Sequence, residues 1–125
     1  MPAIRESALS QAEGGPRVIV EAPESLPTLP AAVEVAAYRI ATEAVTNAAR
    51  HAQAERVVIR FDLTDALELT VQDNGAGLPA SARAGVGITS MRERAAELGG
   101  RVVVEPLAGG GTRVHARLPL ALVES

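Results

Sequence analysis

Two groups of residues in this chain are of types that handle metal-bound oxyanions and flat, amine-bearing rings. Glu43, Asn47, Arg50 and His51 are spaced i, i+4, i+7 and i+8, so a helix brings them to one stripe. Such a stripe has an ordinary reading as the solvated flank of an amphipathic helix. Asn47 fits that reading less well. Asparagine is a mediocre helix former because its side chain competes for backbone hydrogen bonds, and here it follows β-branched Thr46 in mid-helix. A hard cation such as Mg²⁺ takes oxygen ligands, and one amide oxygen completed by water and phosphate oxygens is a reasonable set. The second group is Asp73-Asn74-Gly75-Ala76-Gly77. Asn-Gly is a common device of tight turns, yet a turn leaves the leading Asp and the second Gly unexplained. A carboxylate at a strand end can accept a hydrogen bond from an exocyclic amine, while glycines let the backbone pass close to a flat ring. Gly85-Val86-Gly87 precedes a predicted helix whose N–H groups and positive dipole end suit phosphate. Gly109-Gly110-Gly111-Thr112 reads equally well as a loose hairpin loop.

These residues need elements to position them. From Ala31 onward Val33, Ala37, Ile40, Ala44 and Ala48 recur at three-to-four spacing with no Gly or Pro before His51, which predicts a helix. Arg17 to Glu21 carries a β-branched run that stops at Ala22-Pro23 and predicts an edge strand. Val57, Ile59 and Phe61 alternate with Val58 and Arg60, and Leu67, Leu69 and Val71 with Glu68, Thr70 and Gln72, about a turn at Thr64-Asp65. That pattern predicts two antiparallel strands, each with one buried face. A second helix is predicted from about Ile88 to Leu98, stopped by Gly99-Gly100, followed by strands at Arg101 to Glu105 and Thr112 to Leu118. Residues 1–16, ending at Gly14-Gly15-Pro16, read as a frayed leader or linker stub, residues 17–122 as one domain, and 123–125 as a tail. The expected fold class is α+β: a two-layer α/β sandwich with a mixed, mostly antiparallel sheet and helices on one face.

With 125 residues the chain fits one domain. One Phe and one Tyr are its only aromatics, so the core must be built from Val, Leu, Ile and Ala. A net charge of -3 and a pI near 5.4 argue against a surface that neutralises nucleic-acid phosphates. The absence of cysteine excludes disulfides and thiolate metal sites. No segment approaches the roughly 18 uninterrupted apolar residues of a membrane span, and no basic-then-apolar signal pattern opens the chain. The expectation is a soluble domain that contacts neither nucleic acid nor membrane, located in the cytoplasm, as a free chain or as the cytoplasmic portion of a membrane-bound sensor.

The order of the motifs is more specific than any one of them. Glu43-x-x-x-Asn47, Asp73-x-Gly75-x-Gly77, Gly85-x-Gly87 and Gly110-Gly111-Thr112 resemble the nucleotide-binding boxes of the gyrase, heat-shock-chaperone, histidine-kinase and mismatch-repair ATPases, with their Bergerat-type ATP-binding fold. The strings Tyr38 to Ala52 and Gly87 to Arg94 are similar to sensor kinases that pair with response regulators carrying a helix-turn-helix output domain. The likeness covers about residues 17–120. It implies a catalytic domain that binds ATP with Mg²⁺ and donates the γ-phosphate to a histidine on an upstream dimerisation domain, for relay to a response regulator. By the same resemblance Asn47 ligates Mg²⁺ and Glu43 orients or activates groups near the γ-phosphate. Arg50 and His51 lie near the phosphates, Arg50 standing where relatives often have lysine. Asp73 recognises the adenine amino group, Gly75 and Gly77 shape its pocket, and Gly85, Gly87 and Ile88 flank the phosphates beyond a short lid, Leu78 to Ala84. Thr112 sits beside the base. The chain's two histidines, His51 and His115, belong to the nucleotide helix and to a predicted strand, and neither has the setting of a phosphoacceptor. Two alternatives are an anti-sigma-factor-type serine kinase of the same superfamily and a nucleotide-binding module without activity. Met91-Arg92-Glu93-Arg94 favours the sensor-kinase reading.

Overall fold

The first helix forms where the periodicity predicts it. The computed structural model describes residues 2–6, 17–23, 28–50, 54–75 and 86–120, and within it α1 spans Ala31–Arg50. Its first turn hangs on the Pro30 carbonyl, which accepts from the N–H groups of Val33 (3.0 Å) and Glu34 (3.1 Å). A buried row of Val33, Ala37, Ile40, Ala44 and Ala48, widened by Ala36, Ala41 and Val45, faces the sheet. Most of that row is alanine, so the helix rests close on the strands beneath it.

Among the described residues six strands make one sheet: β1 (Pro2–Glu6), β2 (Arg17–Pro23), β3 (Arg56–Leu63), β4 (Ala66–Asp73), β5 (Arg101–Pro106) and β6 (Thr112–Pro119). Their order is β1-β2-β3-β4-β6-β5. Of these strands β2 and β3 run parallel, and α1 is the crossover between them, as a parallel pair requires. The remaining pairs are antiparallel. The second helix, α2 (Val86–Glu97), lies on the same face as α1. The expected mixed sheet with helices on one face is thus the observed α+β architecture.

Two expectations change. Pro2–Glu6 is a strand, not part of a frayed stub, and it pairs antiparallel with β2 from Pro2↔Pro23 to Glu6↔Ile19. Strand β2 is therefore interior, and the sheet edges are β1 and β5. Backbone ladder bonds are available to any residue except at proline nitrogen, so a pairing strand with a single β-branched residue carries little signal in its side chains. The second change is at α2, which starts two residues before the predicted Ile88, so that Val86 and Gly87 form its first turn.

Between the layers lies an aliphatic core: Val18, Ile40, Val57, Ile59, Leu67, Leu69, Ile88, Met91 and Leu118 are among its largest members with at most 1% exposure. Phe61 is only partly buried and Tyr38 is exposed, so no aromatic ring is fully enclosed among the described residues. The opposite sheet face is ionic. Glu68 receives His115 Nε2 at 2.8 Å and Arg117 Nη1 at 2.6 Å, and Arg60 pairs with Glu21 at 2.7 Å.

Helix α2 ends in two consecutive glycines with different duties. Gly99 takes a left-handed conformation (φ 78°), donating to the Ala96 carbonyl at 2.9 Å while Gly100 donates to Ala95 at 2.8 Å, a Schellman cap. A Cβ at Gly100 would stand 2.1 Å from the Arg117 carbonyl oxygen, whereas one at Gly99 would meet nothing within 4 Å. Gly99→Ala is therefore expected to cost about 1–2 kcal/mol, the penalty of the left-handed region. Gly100→Ala should cost about 1–3 kcal/mol or more, because the overlap falls on backbone that must move. Denaturant titration of both variants checks the order, and a Gly100→Ala protein as stable as wild type would contradict this packing.

Candidate functional site

Strand β4 keeps its inward row through Leu67, Leu69 and Val71, and the next inward position is Asp73, its last residue. The carboxylate is thus delivered to the helix side of the sheet at the point where the ladder ends. It is half-buried. Its Oδ1 accepts the Gly75 N–H at 2.9 Å, and the backbone N–H of Thr112 also bonds it. Burial raises its pKa above the usual carboxylate range, while the two N–H donors pull the other way. One of the four lone-pair positions of this carboxylate goes to Gly75 and one to Thr112, which leaves acceptor capacity for a ligand amine.

The loop before β6 closes on the same spot. Gly110 and Gly111 both have positive φ, 101° and 100°. A Cβ at Gly111 would stand 2.0 Å from the Asp73 carbonyl oxygen, and one at Gly110 would stand 3.6 Å from that of Gly75. Glycine at 111 is demanded twice, by conformation and by the approach of two backbones. Thr112 follows with 3% exposure, the one buried polar side chain among the described residues. The structure therefore brings together Asp73, Gly75, Gly110, Gly111 and Thr112, segments that lie far apart in sequence.

Glu43 and Asn47 sit one turn apart on α1, both half-buried at the margin of its apolar row. Among the described residues neither side chain has a hydrogen-bond partner. Glu43 lines a groove between the helices together with Tyr38, Thr42, Thr46, Ser90 and Arg94. Thr42 is satisfied by back-bonding to the Tyr38 carbonyl at 2.8 Å. Ile88 has 1% exposure in the core, so only its backbone faces any ligand. Gly87 lies in the first turn of α2, so the glycine box enters the helix instead of merely preceding it. Arg50 is the last residue of α1, and its side chain lies outside the described residues, as do His51, Gly77, Gly85 and the lid Leu78 to Ala84.

No group of three His, Cys, Asp or Glu side chains that could hold a metal occurs among the described residues. The donor set is a single amide oxygen at Asn47 beside a carboxylate at Glu43. That set fits a cation that arrives with a phosphate ligand and its own waters better than a resident ion held by protein alone.

Asn74 is the residue whose part the sequence did not disclose. Its neighbourhood is no hairpin turn, because β4 pairs with β3 and β6 and neither follows it directly. Its amide oxygen accepts from the backbone N–H groups of Glu55 (3.0 Å) and Arg56 (2.8 Å). The available signal was an Asn-Gly pair at a strand end with no strand-forming run after it.

Comparison with known proteins agrees with this geometry. Residues 32–122 match the family described as histidine kinase-, DNA gyrase B-, and HSP90-like ATPase. The chain is 35% identical over 95 residues to the sensor protein VraS of Staphylococcus aureus, an alignment covering 74% of this chain and 27% of that protein. It thus spans about a quarter of the length of that relative. The histidine kinase domain of a blue-light activated histidine kinase from Erythrobacter litoralis superposes with a TM-score of 0.67 at 26% identity, covering 81% of this chain and 50% of that one. The ATP binding domain of PrrB from Mycobacterium tuberculosis has the same fold end to end, with a TM-score of 0.63 at 23% identity over 96% of this chain and 98% of that one. A match over most of the chain, met by a carboxylate and a glycine-threonine loop converging at one end of the sheet, means that the chain belongs to the histidine kinase-, DNA gyrase B- and HSP90-like ATPase family.

Proposed function

We propose that this chain is the ATP-binding catalytic domain of a two-component sensor histidine kinase, working on a histidine carried by an upstream dimerisation domain and, through it, on a response regulator. The observation that carries the reading is the convergence of Asp73, Gly75 and Gly111-Thr112 at one end of the sheet. The similarity to a sensor protein supports this reading over the serine-kinase alternative.

In this proposal the ionised Asp73 accepts a hydrogen bond from the adenine amino group, with Thr112 beside the base and Gly75 and Gly77 forming the pocket floor. Asn47 supplies an amide oxygen to the cation, whose chemistry when bound is to neutralise charge on the phosphate oxygens. Glu43, one turn away, orients groups near the γ-phosphate. Arg50 and His51 lie near the phosphates, and Gly85, Gly87 and the Ile88 backbone offer N–H groups at the start of α2. The phosphoryl acceptor comes from outside this chain. His115 lies on the outer face of the sheet, away from the helices and bonded to Glu68, and His51 follows α1 directly in the sequence, beside the residues assigned to the nucleotide. No described helix is long and apolar enough to cross a membrane, and the cytoplasm is the proposed compartment because that is where ATP is supplied.

Two outcomes are expected. Asp73→Asn should weaken ATP binding about ten- to a hundredfold, the loss of one hydrogen bond to a charged group of roughly 1.5–3 kcal/mol, read by calorimetric titration. The same variant should be no less stable at neutral pH. A carboxyl with a raised folded pKa binds more protons folded than unfolded, so wild-type stability falls as pH rises through the window from the unfolded to the raised value, and asparagine removes that loss. Affinity for ATP should likewise fall as the pH drops through the raised pKa. Equal binding by both proteins would remove the adenine role. Second, the chain alone should incorporate no stable label from γ-labelled ATP, whereas adding a dimerisation domain of the parent protein should restore labelling on that domain's histidine; label retained on this chain by itself would contradict the division of labour.

A further inference from the structure

We infer that Asn74 is a positioning residue for the nucleotide site, setting the Asp73 carboxylate relative to the helix that carries Asn47; the inference rests on the ATP-binding reading above.

The ladder between β3 and β4 ends at the pair Val57↔Asp73. One further bond continues it, from the Asn74 N–H to the Arg56 carbonyl at 3.2 Å. Beyond that point the β3–β4 ladder stops, and the backbone N–H groups of Glu55 and Arg56 have no β4 backbone carbonyl as partner. The Asn74 amide oxygen accepts both, at 3.0 and 2.8 Å. A side chain thus takes over where the backbone ladder stops, and it does so at the residue between Asp73 and Gly75.

The segment it holds is itself tied to the helix and to the sheet. Ala54 donates its N–H to the Ala48 carbonyl at 3.1 Å, and Ala48 is the neighbour of Asn47 on α1. Glu55 accepts the Arg17 N–H at 2.9 Å, which fixes the start of β2. Asn74 is therefore the clamp between the exit of α1 and the exit of β4. The Asn74 amide is committed to this clamp, away from Asp73, whose Oδ1 is instead held by Gly75. Losing the clamp leaves Asp73 in place chemically but frees its backbone to shift against α1. An adenine amine must meet a carboxylate oxygen within hydrogen-bond distance, while the phosphates of the same nucleotide reach α1, so that freedom falls directly on affinity.

Titrations of ATP and GTP into wild type, Asn74→Ala and Asn74→Asp test the assignment. Asn74→Ala deletes the one oxygen that accepts both bonds; Asn74→Asp keeps an Oδ1 that can accept from the same two N–H groups. The expected result is about a tenfold loss of ATP affinity in Asn74→Ala, GTP affinity within about threefold of wild type, and Asn74→Asp within about threefold of wild type for both nucleotides. Should Asn74→Ala not fold by circular dichroism, Asn74→Ser, whose hydroxyl is too short to span both donors, takes its place in the same comparison. Unchanged ATP affinity in the acceptor-deleted variant overturns the inference. So does an equal loss for ATP and GTP, or a loss that Asn74→Asp fails to rescue, either of which reports a merely structural role. A wild-type chain that binds no ATP overturns the underlying reading and the inference with it, a result distinguishable because it lies in the wild-type arm.

Discussion

At Gly111 the backbone entering β6 approaches the end of β4 so closely that a Cβ would stand 2.0 Å from the Asp73 carbonyl oxygen. The rest of the site depends on that approach. With the two chains in contact, the Thr112 N–H reaches the Asp73 carboxylate, and the threonine side chain is enclosed to 3% exposure. Were a methyl group to hold the chains apart, Asp73 would lose a donor while keeping its burial, and an under-bonded buried carboxylate moves toward its neutral form. A protonated acid has one oxygen turned donor and offers an amine only a neutral, weaker acceptor. The glycine is thus a condition of the charge state as well as of the shape.

The site also depends on the thinness of the molecule. Five of the buried residues of α1 are alanines, and no aromatic ring is fully enclosed among the described residues. Short side chains let the helix lie close on β4 and β6, which brings its polar flank, Glu43 and Asn47, to the margin of the same sheet face that ends in Asp73. Larger core residues would lift that flank away from the strand ends. The opposite face carries the ion pair of Glu68 with Arg117 and the contact of Glu68 with His115. Such partly exposed pairs add little stability, so the aliphatic layer is what holds helix and sheet in register.

The sequence was legible where periodicity and chain chemistry act locally. The α1 row, the β3 and β4 alternation and the Gly99-Gly100 stop are all local patterns, and the elements stand within a few residues of their expected bounds. Strand β1 was not legible, because its pairing rests on backbone bonds at long range and its composition has no alternation. For the same reason β2 reads as an edge in the sequence and is interior in the sheet. The glycine boxes were legible as motifs, but which backbone each glycine admits is a tertiary fact: nothing near Gly111 in sequence announces Asp73. The direction of the Asn74 amide was hidden for a related reason. Asn-Gly usually signals a turn between adjacent strands, and here the neighbour it serves is the segment at Glu55 and Arg56, well upstream.

Asp73 occupies an intermediate position that suits recognition. A fully exposed carboxylate is solvated and discriminates weakly, since water competes for every acceptor site; a fully buried one without donors is neutral. Half-burial with two fixed N–H donors gives a carboxylate whose free lone pairs point in a set direction at modest desolvation cost. Its raised pKa is the trace of that compromise. The glycine loop and the Asn74 clamp fix the carboxylate before any ligand arrives, and in phosphoryl transfer what a protein contributes is mostly such positioning. On the proposed reading, a domain organised this way holds its nucleotide in position, and the timing of transfer passes to whatever brings an acceptor into line with the terminal phosphate.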